Sequence, residues 1–419
     1  MPGPACRPYR QFMWFTHPAP KAAPSDHDVV IVGSRAAGAA TAMLLARAGH
    51  DVVMVDRAQL PSDTTSTHSL VRGGVVQLSR WGLLGDVLDS GAPPVRSVLF
   101  QQYGAAATEP LRLPVKDKAG VDMMLAPRRY VLDAILADAA TRAGATLLTE
   151  TTVRDVLRDP DGRVTGVLAH GADGTIQQLH ARLVIGADGV RSRMADLFGA
   201  QLRESYEPSG TCLYTYVGGV AWDGFEFHLS HEAFAGVFPT HHGEAAVWLI
   251  RPSDQLASVL TAGASRPEAW LQALRTCAPE LAERVLAGTV NAPLRGSIGL
   301  PNHVRQAVGP GWALVGDAGY HRDPITGHGL TDAFRDAELL AEAADEMLRP
   351  VADERTAMTA YERQRDAAIR DTFLLTRALA AFPAPERFAE LQVELSRALD
   401  LEARQLGARP ALIHAVPVC

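Results

Sequence analysis

The chain has 419 residues, of which 47% are hydrophobic and 21% are charged, with a formal net charge of −7. This length allows two domains or one elaborated domain, and the composition is that of a globular protein. The acidic balance argues against nucleic acid as a partner, because phosphate backbones require basic surfaces.

Nothing in the sequence indicates secretion or insertion into a membrane. Residues 1–27 are rich in proline and polar residues and lack the apolar core of a signal peptide. No apolar run reaches membrane-spanning length. The four cysteines are scattered and form no C-x-x-C pair, which suits a reducing compartment. We therefore expect a cytoplasmic protein with a loosely ordered leader and no membrane span.

The first predicted unit is a strand, a glycine turn, a helix and a second strand. Residues 28–32 lead into Gly33-Ser34-Arg35-Ala36-Ala37-Gly38, and a strand at residues 51–55 ends on Asp56, 23 residues after Gly33. A helix that begins at a glycine turn offers free N–H groups to a pyrophosphate, and the aspartate suits a ribose hydroxyl. We predict an ADP-binding βαβ unit that uses Gly33, Ala37, Gly38, Asp56 and Arg57.

Arg35 departs from the G-x-G-x-x-G pattern. It stands where the middle glycine normally lets the backbone approach the phosphates. Its guanidinium must swing aside, and it can then pair with the pyrophosphate. We therefore count Arg35 among the cofactor-binding residues.

Further elements follow in chain order. A polar loop at residues 61–69 contains His68, and one amphipathic segment is predicted at Val76–Leu88, just after Arg72. Residues 95–125 are expected to be strands that leave the first unit, and a helix is predicted at Val131–Arg142. A β-meander then leads to a buried strand that ends near Asp188.

Residues 201–295 have a different character, with short β-like runs rich in aromatic residues. We predict a mainly antiparallel sheet whose rings form a core or line an apolar substrate pocket. A buried strand at residues 312–315 then ends on Gly316-Asp317. Helices are predicted at Leu330–Met347 and Met358–Leu379, followed by a helical tail.

Three motifs occur in an order that resembles the FAD-dependent aromatic hydroxylases, a flavoprotein monooxygenase family that includes p-hydroxybenzoate hydroxylase. The first is the glycine turn, the second is Gly186-Ala187-Asp188-Gly189, and the third runs from Gly316-Asp317 to Gly329. The resemblance covers about residues 28–385. It implies an α/β fold with a Rossmann-like FAD-binding domain at 28–94, 121–200 and 296–385. An inserted, mainly antiparallel β substrate domain would comprise 95–120 and 201–295, and a helical C-terminal tail would comprise 386–419.

The third motif has physical roles that fit a flavin. Asp317, at a strand end, can accept hydrogen bonds from ribityl hydroxyls. Pro324 closes a bend, and Gly327 precedes a helix that starts at Gly329 and Leu330, whose N–H groups would stabilise an anionic flavin edge. The resemblance further implies cofactor contacts for four residues outside this motif: Arg72, Arg129, Val153 and Asp188.

Reduction of the flavin is expected to depend on NADH or NADPH bound transiently, because no second glycine-rich nucleotide motif occurs. The family's last arginine in the Asp-Gly motif is replaced by Ala195. This substitution leaves a separate flavin reductase as an alternative source of electrons.

Catalytic candidates are few. His68 is a candidate for substrate contact or proton relay, and His321, Arg322 and Asp323 lie beside the expected flavin site. The spacings of the histidines between residues 228 and 242 match no strong ligand motif, so we predict no metal site.

The resemblance implies an FAD-dependent monooxygenase that uses NAD(P)H and O2 to hydroxylate or epoxidise an apolar aromatic or polycyclic molecule. One alternative is an FAD-dependent reductase or dehydrogenase of the geranylgeranyl-reductase type. Another is a non-catalytic binding protein on the same fold, for which Arg35 is the one favourable feature.

Overall fold

The structure, a computed structural model, describes residues 27–207, 210–256, 259 and 261–410. Residues 1–26 of the predicted leader and residues 411–419 of the predicted tail lie outside this range, whereas His27 begins the first strand. The helices are α1 Ala36–Arg47, α2 Arg72–Arg80, α3 Leu84–Asp89, α4 Arg129–Arg142, α5 Arg193–Phe198, α6 Arg266–Cys277, α7 Pro279–Ala287, α8 Gly329–Leu348, α9 Glu354–Ala380 and α10 Pro385–Ala408. The strands are β1 His27–Val32, β2 Val52–Val55, β3 Ser97–Gln102, β4 Leu111–Pro114, β5 Thr146–Leu148, β6 Thr151–Arg158, β7 Val164–Gly171, β8 Ile176–Gly186, β9 Leu202–Tyr206, β10 Gly210–Gly218, β11 Phe225–Ser230, β12 Ala233–Pro239, β13 Ala245–Pro252, β14 Thr289–Val290, β15 Arg295–Ile298, β16 Asn302–Arg305, β17 Val308–Gly309, β18 Trp312–Leu314 and β19 Tyr320–His321.

The first sheet contains five parallel strands, which neighbour one another in the order β18, β8, β1, β2 and β5. Its central strands are continuous apolar runs because both faces are covered. Helices α1, α4 and α8 pack together, and their apolar residues share one core with this sheet. The β6–β7 hairpin and α5 pack against the other face. The carboxyl ends of β1, β8 and β18 meet at one edge, where open α/β sheets bind ligands.

A second sheet, called here the aromatic sheet, runs in the order β14, β10, β13, β12, β11, β3 and β4, with β15 also paired to β10. Its pairs are antiparallel apart from β3 with β11. One face carries the rings and packs against the end of α9 and the start of α10. Helices α6 and α7 cover the other face. A small third sheet joins β9, β16 and β19.

The segment predicted as one amphipathic helix at Val76–Leu88 is two helices, α2 and α3. Gly82 lies between them with φ +75°, a left-handed conformation that ends the first helix. The single-helix prediction was therefore wrong at this residue. No helix in the described ranges combines the length and apolarity needed to cross a membrane.

Candidate active site

The glycine turn after β1 sits directly on the end of β8. Gly33 has φ +106°, and a Cβ there would overlap the carbonyl oxygen of Ala187. A Cβ on Gly38 would overlap the carbonyl of Gly33 in the same way. These two glycines therefore permit a close approach of the turn, the helix start and the neighbouring strand end that no larger residue allows.

The start of α1 is open to an anion. No side-chain hydrogen bond caps its first turn, so its N–H groups and the positive end of its dipole can face a ligand. The guanidinium of Arg35 lies aside from the turn: it donates to Asp133 at 3.0 Å and to the hydroxyl of Ser62 at 2.9 Å. Its predicted contact with the pyrophosphate stays a prediction.

Asp133 is a residue that the sequence analysis missed. Its carboxylate is fully buried and binds two arginines, Arg35 and Arg129. Arg129 donates two hydrogen bonds of 3.0 Å to it from one turn earlier on α4. Two cations are thereby held beside the start of α1. The spacing of four residues between Arg129 and Asp133 was the only available signal.

The predicted ribose ligand, Asp56, lies at the end of β2 and is mostly buried. Its carboxylate accepts hydrogen bonds from the backbone N–H and the hydroxyl of Ser34, at 2.8 and 2.9 Å. It therefore orders the glycine turn. Arg57, the next residue, is exposed. Val153 lies in β6, and at the start of this strand the N–H of Thr151 donates to the backbone carbonyl of Asp56.

The Asp-Gly motif caps a helix. Asp188 accepts a hydrogen bond of 3.0 Å from the N–H of Met194 and one of 2.5 Å from the hydroxyl of Ser192. Burial raises the pKa of Asp188. Ala195, which replaces the family's arginine, is buried and belongs to the apolar core on the α5 side of the parallel sheet. The substitution therefore has a packing explanation.

Gly316 and Asp317 lie where three elements meet. Gly316 has φ +60°, and a Cβ there would lie 2.8 Å from the Cβ of Ala37 in the first turn of α1 and 3.7 Å from that of Ala333 in α8. The carboxylate of Asp317 accepts no hydrogen bond from the described residues. Burial raises its pKa, which His321 and Arg129 oppose.

His303 was also missed. Its Nε2–H donates to the backbone carbonyl of Asp317 at 3.1 Å and so fixes the peptide that carries the key carboxylate. Burial, Arg305 and His321 lower the pKa of His303 to about 4, which keeps it neutral at pH 7. A histidine in an ordinary strand pattern gave no signal of this role.

The chain from Asp323 to Gly329 forms the predicted bend. The carboxylate of Asp323 accepts the N–H of Ile325 at 3.0 Å, Pro324 opens a short 3-10 turn, and Gly327 has φ +60°. Helix α8 then starts at Gly329 and Leu330 without a side-chain cap. An unpaired carboxylate and two uncapped helix starts at one sheet edge provide the acceptors and donors that FAD requires, so the described residues fit this cofactor.

A narrow cavity lies between this bend and the aromatic sheet. One wall is made by side chains of the sheet and the other by the bend and the loop before α2. The lining residues are Thr67, Ser69, Val71, Phe227, Phe238, Trp248, Ile250, Pro324, Ile325, Thr326 and Gly327. The aromatic segment therefore supplies both core packing and cavity wall.

His68 is fully buried behind the cavity wall, between the lining residues Thr67 and Ser69. Its Nε2 is hydrogen-bonded to the hydroxyl of Tyr216, and its ring stacks on that of Tyr216 with centroids 5.7 Å apart. Burial, Arg129 and Arg128 lower its pKa well below the usual value. His68 is therefore neutral, and its catalytic role stays a prediction.

The other three catalytic candidates each have a separate structural partner. His321 is bound through Nδ1 to the carbonyl of Pro301 at 2.7 Å. Arg322 lies 2.9 Å from Asp332, whereas Asp323 caps the turn and has its pKa raised by burial to about 6. Each has a structural partner, so their catalytic assignment also stays a prediction.

The start of α8 is bound to α10 by buried charges. His328 contacts Glu402 at 2.7 Å, and Arg335 contacts both Asp332, at 2.6 Å, and Glu402, at 3.0 Å. Burial alone would raise the pKa of Glu402, but His328 and Arg335 lower it below its usual value. Nearby on α10, Asp400 binds Arg72, whose predicted cofactor contact stays a prediction.

Among the described residues, His328, Asp332 and Glu402 are the one group of three placed closely enough to hold a metal ion. Arg335 already binds both carboxylates of this group, and its positive charge would repel a cation. The group is therefore better described as an ion-pair cluster.

Comparison with known proteins identifies the family. The family model described as "FAD binding domain" matches residues 26–376. The chain belongs to the FAD-binding domain family. The predicted resemblance to FAD-dependent aromatic hydroxylases, the α/β fold class and the prediction of an FAD-dependent oxidoreductase are confirmed.

Relatives in this family include reductases and a monooxygenase. Digeranylgeranylglycerophospholipid reductase 1 of Methanopyrus kandleri is 28% identical, over 85% of this chain and 90% of that protein. Menaquinone reductase of Mycolicibacterium smegmatis is 30% identical, over 75% of each chain. Kynurenine 3-monooxygenase of Salinispora arenicola is 26% identical, over 80% of this chain and 76% of that protein.

Solved structures share the fold. A triple mutant of the flavin-dependent brominase Bmp2 superposes with a TM-score of 0.78 at 20% identity, over 92% of this chain and 96% of that one. PqsL of P. aeruginosa, in complex with 2-aminobenzoylacetate, gives 0.75 at 23% identity, over 88% and 99%.

The substitution Asp317→Ala is expected to weaken FAD binding by about 1.5–3 kcal/mol, because a charge-assisted hydrogen bond to the cofactor is lost. The measurement is the FAD content of the purified protein together with the dissociation constant. Asp371→Ala, which removes an exposed carboxylate on α9, is the control. Unchanged FAD affinity in Asp317→Ala would contradict the assignment.

A second prediction concerns acid stability. Because the folded-state pKa of His303 is about 4, below its unfolded value of roughly 6.5, its contribution to stability is complete above pH 6.5. It should be lost as the pH falls toward 4, by at most about 3 kcal/mol. His303→Gln keeps a donor for the Asp317 carbonyl and should lose less stability over this range.

The measurement for His303 is the free energy of unfolding in urea between pH 4 and 7. His231→Gln, at a side chain that is 82% exposed, is expected to follow the wild-type curve. Parallel curves for wild type and His303→Gln would show that His303 does not set this acid sensitivity.

Proposed function

We propose that this protein is an FAD-dependent monooxygenase that uses NAD(P)H and O2 to hydroxylate or epoxidise an apolar aromatic or polycyclic small molecule. The supporting observation is the cavity lining. Among the described lining residues, the side chains are aromatic, aliphatic or hydroxylic, and none is titratable. Such a wall excludes water and holds a ring system by shape, as oxygen transfer to an apolar ring requires.

Different residues of the site would hold the two parts of FAD and the substrate. The glycine turn, the start of α1 and Arg129 would hold the ADP part of FAD, and Asp317 with the start of α8 would hold the flavin part. When bound, FAD supplies the electron transfer and the reaction with O2. The aromatic wall would orient the substrate, with the hydroxyls of Thr67, Ser69 and Thr326 on the opposite side.

A reductase of isoprenoid or quinone substrates is the second candidate, and the reductases among the relatives favour it. Reduction of a carbon–carbon double bond adds a hydride to one carbon and a proton to the other. The described cavity lining offers hydroxyls but no acidic side chain as the proton source, so we rank this reaction second. The non-catalytic alternative loses its one favourable feature, since Arg35 lies aside from the glycine turn.

The test is turnover with and without O2, run in parallel with ¹⁸O-labelled oxygen. Polycyclic phenols and ketones are assayed alongside menaquinone and a geranylgeranyl lipid. We expect slow NAD(P)H oxidation without substrate, a rise of at least about tenfold with a true substrate, and one labelled oxygen atom in the product. The FAD-depleted Asp317→Ala protein is the negative control. A product that forms without O2, or that lacks the label, would favour the reductase.

A further inference from the structure

We propose that the indole N–H of Trp248 binds the substrate, and that the substrate is an apolar ring system with an acceptor oxygen, such as a ketone or quinone carbonyl. This inference rests on the proposed function in taking the cavity as the substrate site. It adds a polar recognition element to a wall that otherwise selects only by shape.

The first observation is that this N–H has no partner. Trp248 lies in β13, lines the cavity and is 3% exposed. Its Nε1 is buried and makes no hydrogen bond within the described part of the chain. Buried indole N–H groups usually find an acceptor, because leaving one unpaired destabilises the protein. An unpaired donor on a residue that lines a cavity is therefore a candidate for ligand recognition.

The second observation is that the side chains around the indole are rings. Phe234, Phe238 and Phe227 surround Trp248, with ring centroids at 5.1, 5.3 and 6.1 Å. None of these rings carries a lone-pair acceptor, and a ring face is a much weaker acceptor than an oxygen atom. An oxygen brought by a ligand would therefore meet little competition for the N–H.

The third observation is that the sheet leaves space for this indole. Gly236 in β12 pairs directly with Trp248, and a Cβ at that position would overlap the indole Cζ2. Any other residue at position 236 would push the indole away from its present place. The glycine, whose backbone is in an ordinary strand conformation, is therefore explained by the close approach of both this ring and the carbonyl oxygen of Glu226.

The two cavity walls together orient a ligand. The aromatic wall has one strong donor, at Trp248, and the opposite wall carries the bend that starts at Pro324 and leads to α8. A ring system that places its oxygen against Trp248 directs its remaining carbons toward this bend. The donor would thus select substrates by functional group and select the position on the ring that reacts.

The experiment compares two probes of the same shape, 1-tetralone and tetralin, of which only the ketone has an acceptor oxygen. Binding to the FAD-loaded protein is measured by calorimetry without NAD(P)H. We expect wild type to bind the ketone about three- to tenfold more tightly than the hydrocarbon. In Trp248→Phe, which keeps an aromatic wall and removes the donor, the two affinities should become equal.

Trp270→Phe is the matched control. The Nε1 of Trp270 is also buried without a partner among the described residues, but this residue belongs to α6 and packs against the opposite face of the aromatic sheet. The control makes the same chemical change in a helix that packs against the same sheet, away from the cavity. It should therefore keep the wild-type preference for the ketone.

A second measurement does not depend on folding of the variant. In wild type labelled with ¹⁵N-tryptophan, one of the six indole resonances should move downfield with 1-tetralone and stay in place with tetralin. Equal wild-type affinities for the two probes, an unchanged preference in Trp248→Phe, or six unmoved resonances would overturn the proposal. Because no turnover is involved, failure of the oxygen-labelling test would leave this result unaffected.

Discussion

The whole site depends on the close approach of three strand ends at one edge of the parallel sheet. Gly33 lets the first turn rest on the end of β8, and Gly316 lets the end of β18 lie against the first turns of α1 and α8. Each of these residues has a positive φ and a contact that excludes a Cβ, so each position requires glycine for two separate reasons. Two helix starts and one carboxylate are consequently gathered within the reach of a single cofactor.

Buried charge is distributed unevenly around this edge. Asp133 and Glu402 are each satisfied by cations, the first by Arg35 and Arg129 and the second by His328 and Arg335. Asp317 alone among these carboxylates accepts no hydrogen bond from the described residues. A carboxylate held rigidly and left without a partner is prepared for a ligand, whereas the saturated ones hold the framework together.

Local patterns predicted the framework well, and long-range contacts explain most of what they missed. The three motifs have a fixed relation to strand ends, so their residues could be placed near one edge from the sequence alone. The contact of Asp133 with Arg35 and the role of His303 depend on partners from separate elements, and only the four-residue spacing between Arg129 and Asp133 gave a signal in the sequence. Residues 321–323 each have a separate structural partner, which periodicity cannot reveal, and their catalytic roles stay predictions.

Helix α10 has contacts that its position at the end of the sequence does not suggest. Near its start Phe388 packs on Phe234 of the aromatic sheet, with ring centroids 5.1 Å apart, and near its end Glu402 binds His328 beside the start of α8. Anyone building chimaeras within this family should therefore transplant α10 together with both the aromatic sheet and the start of α8. A chimaera that takes α10 alone from another member would create mismatched surfaces at both ends of this helix.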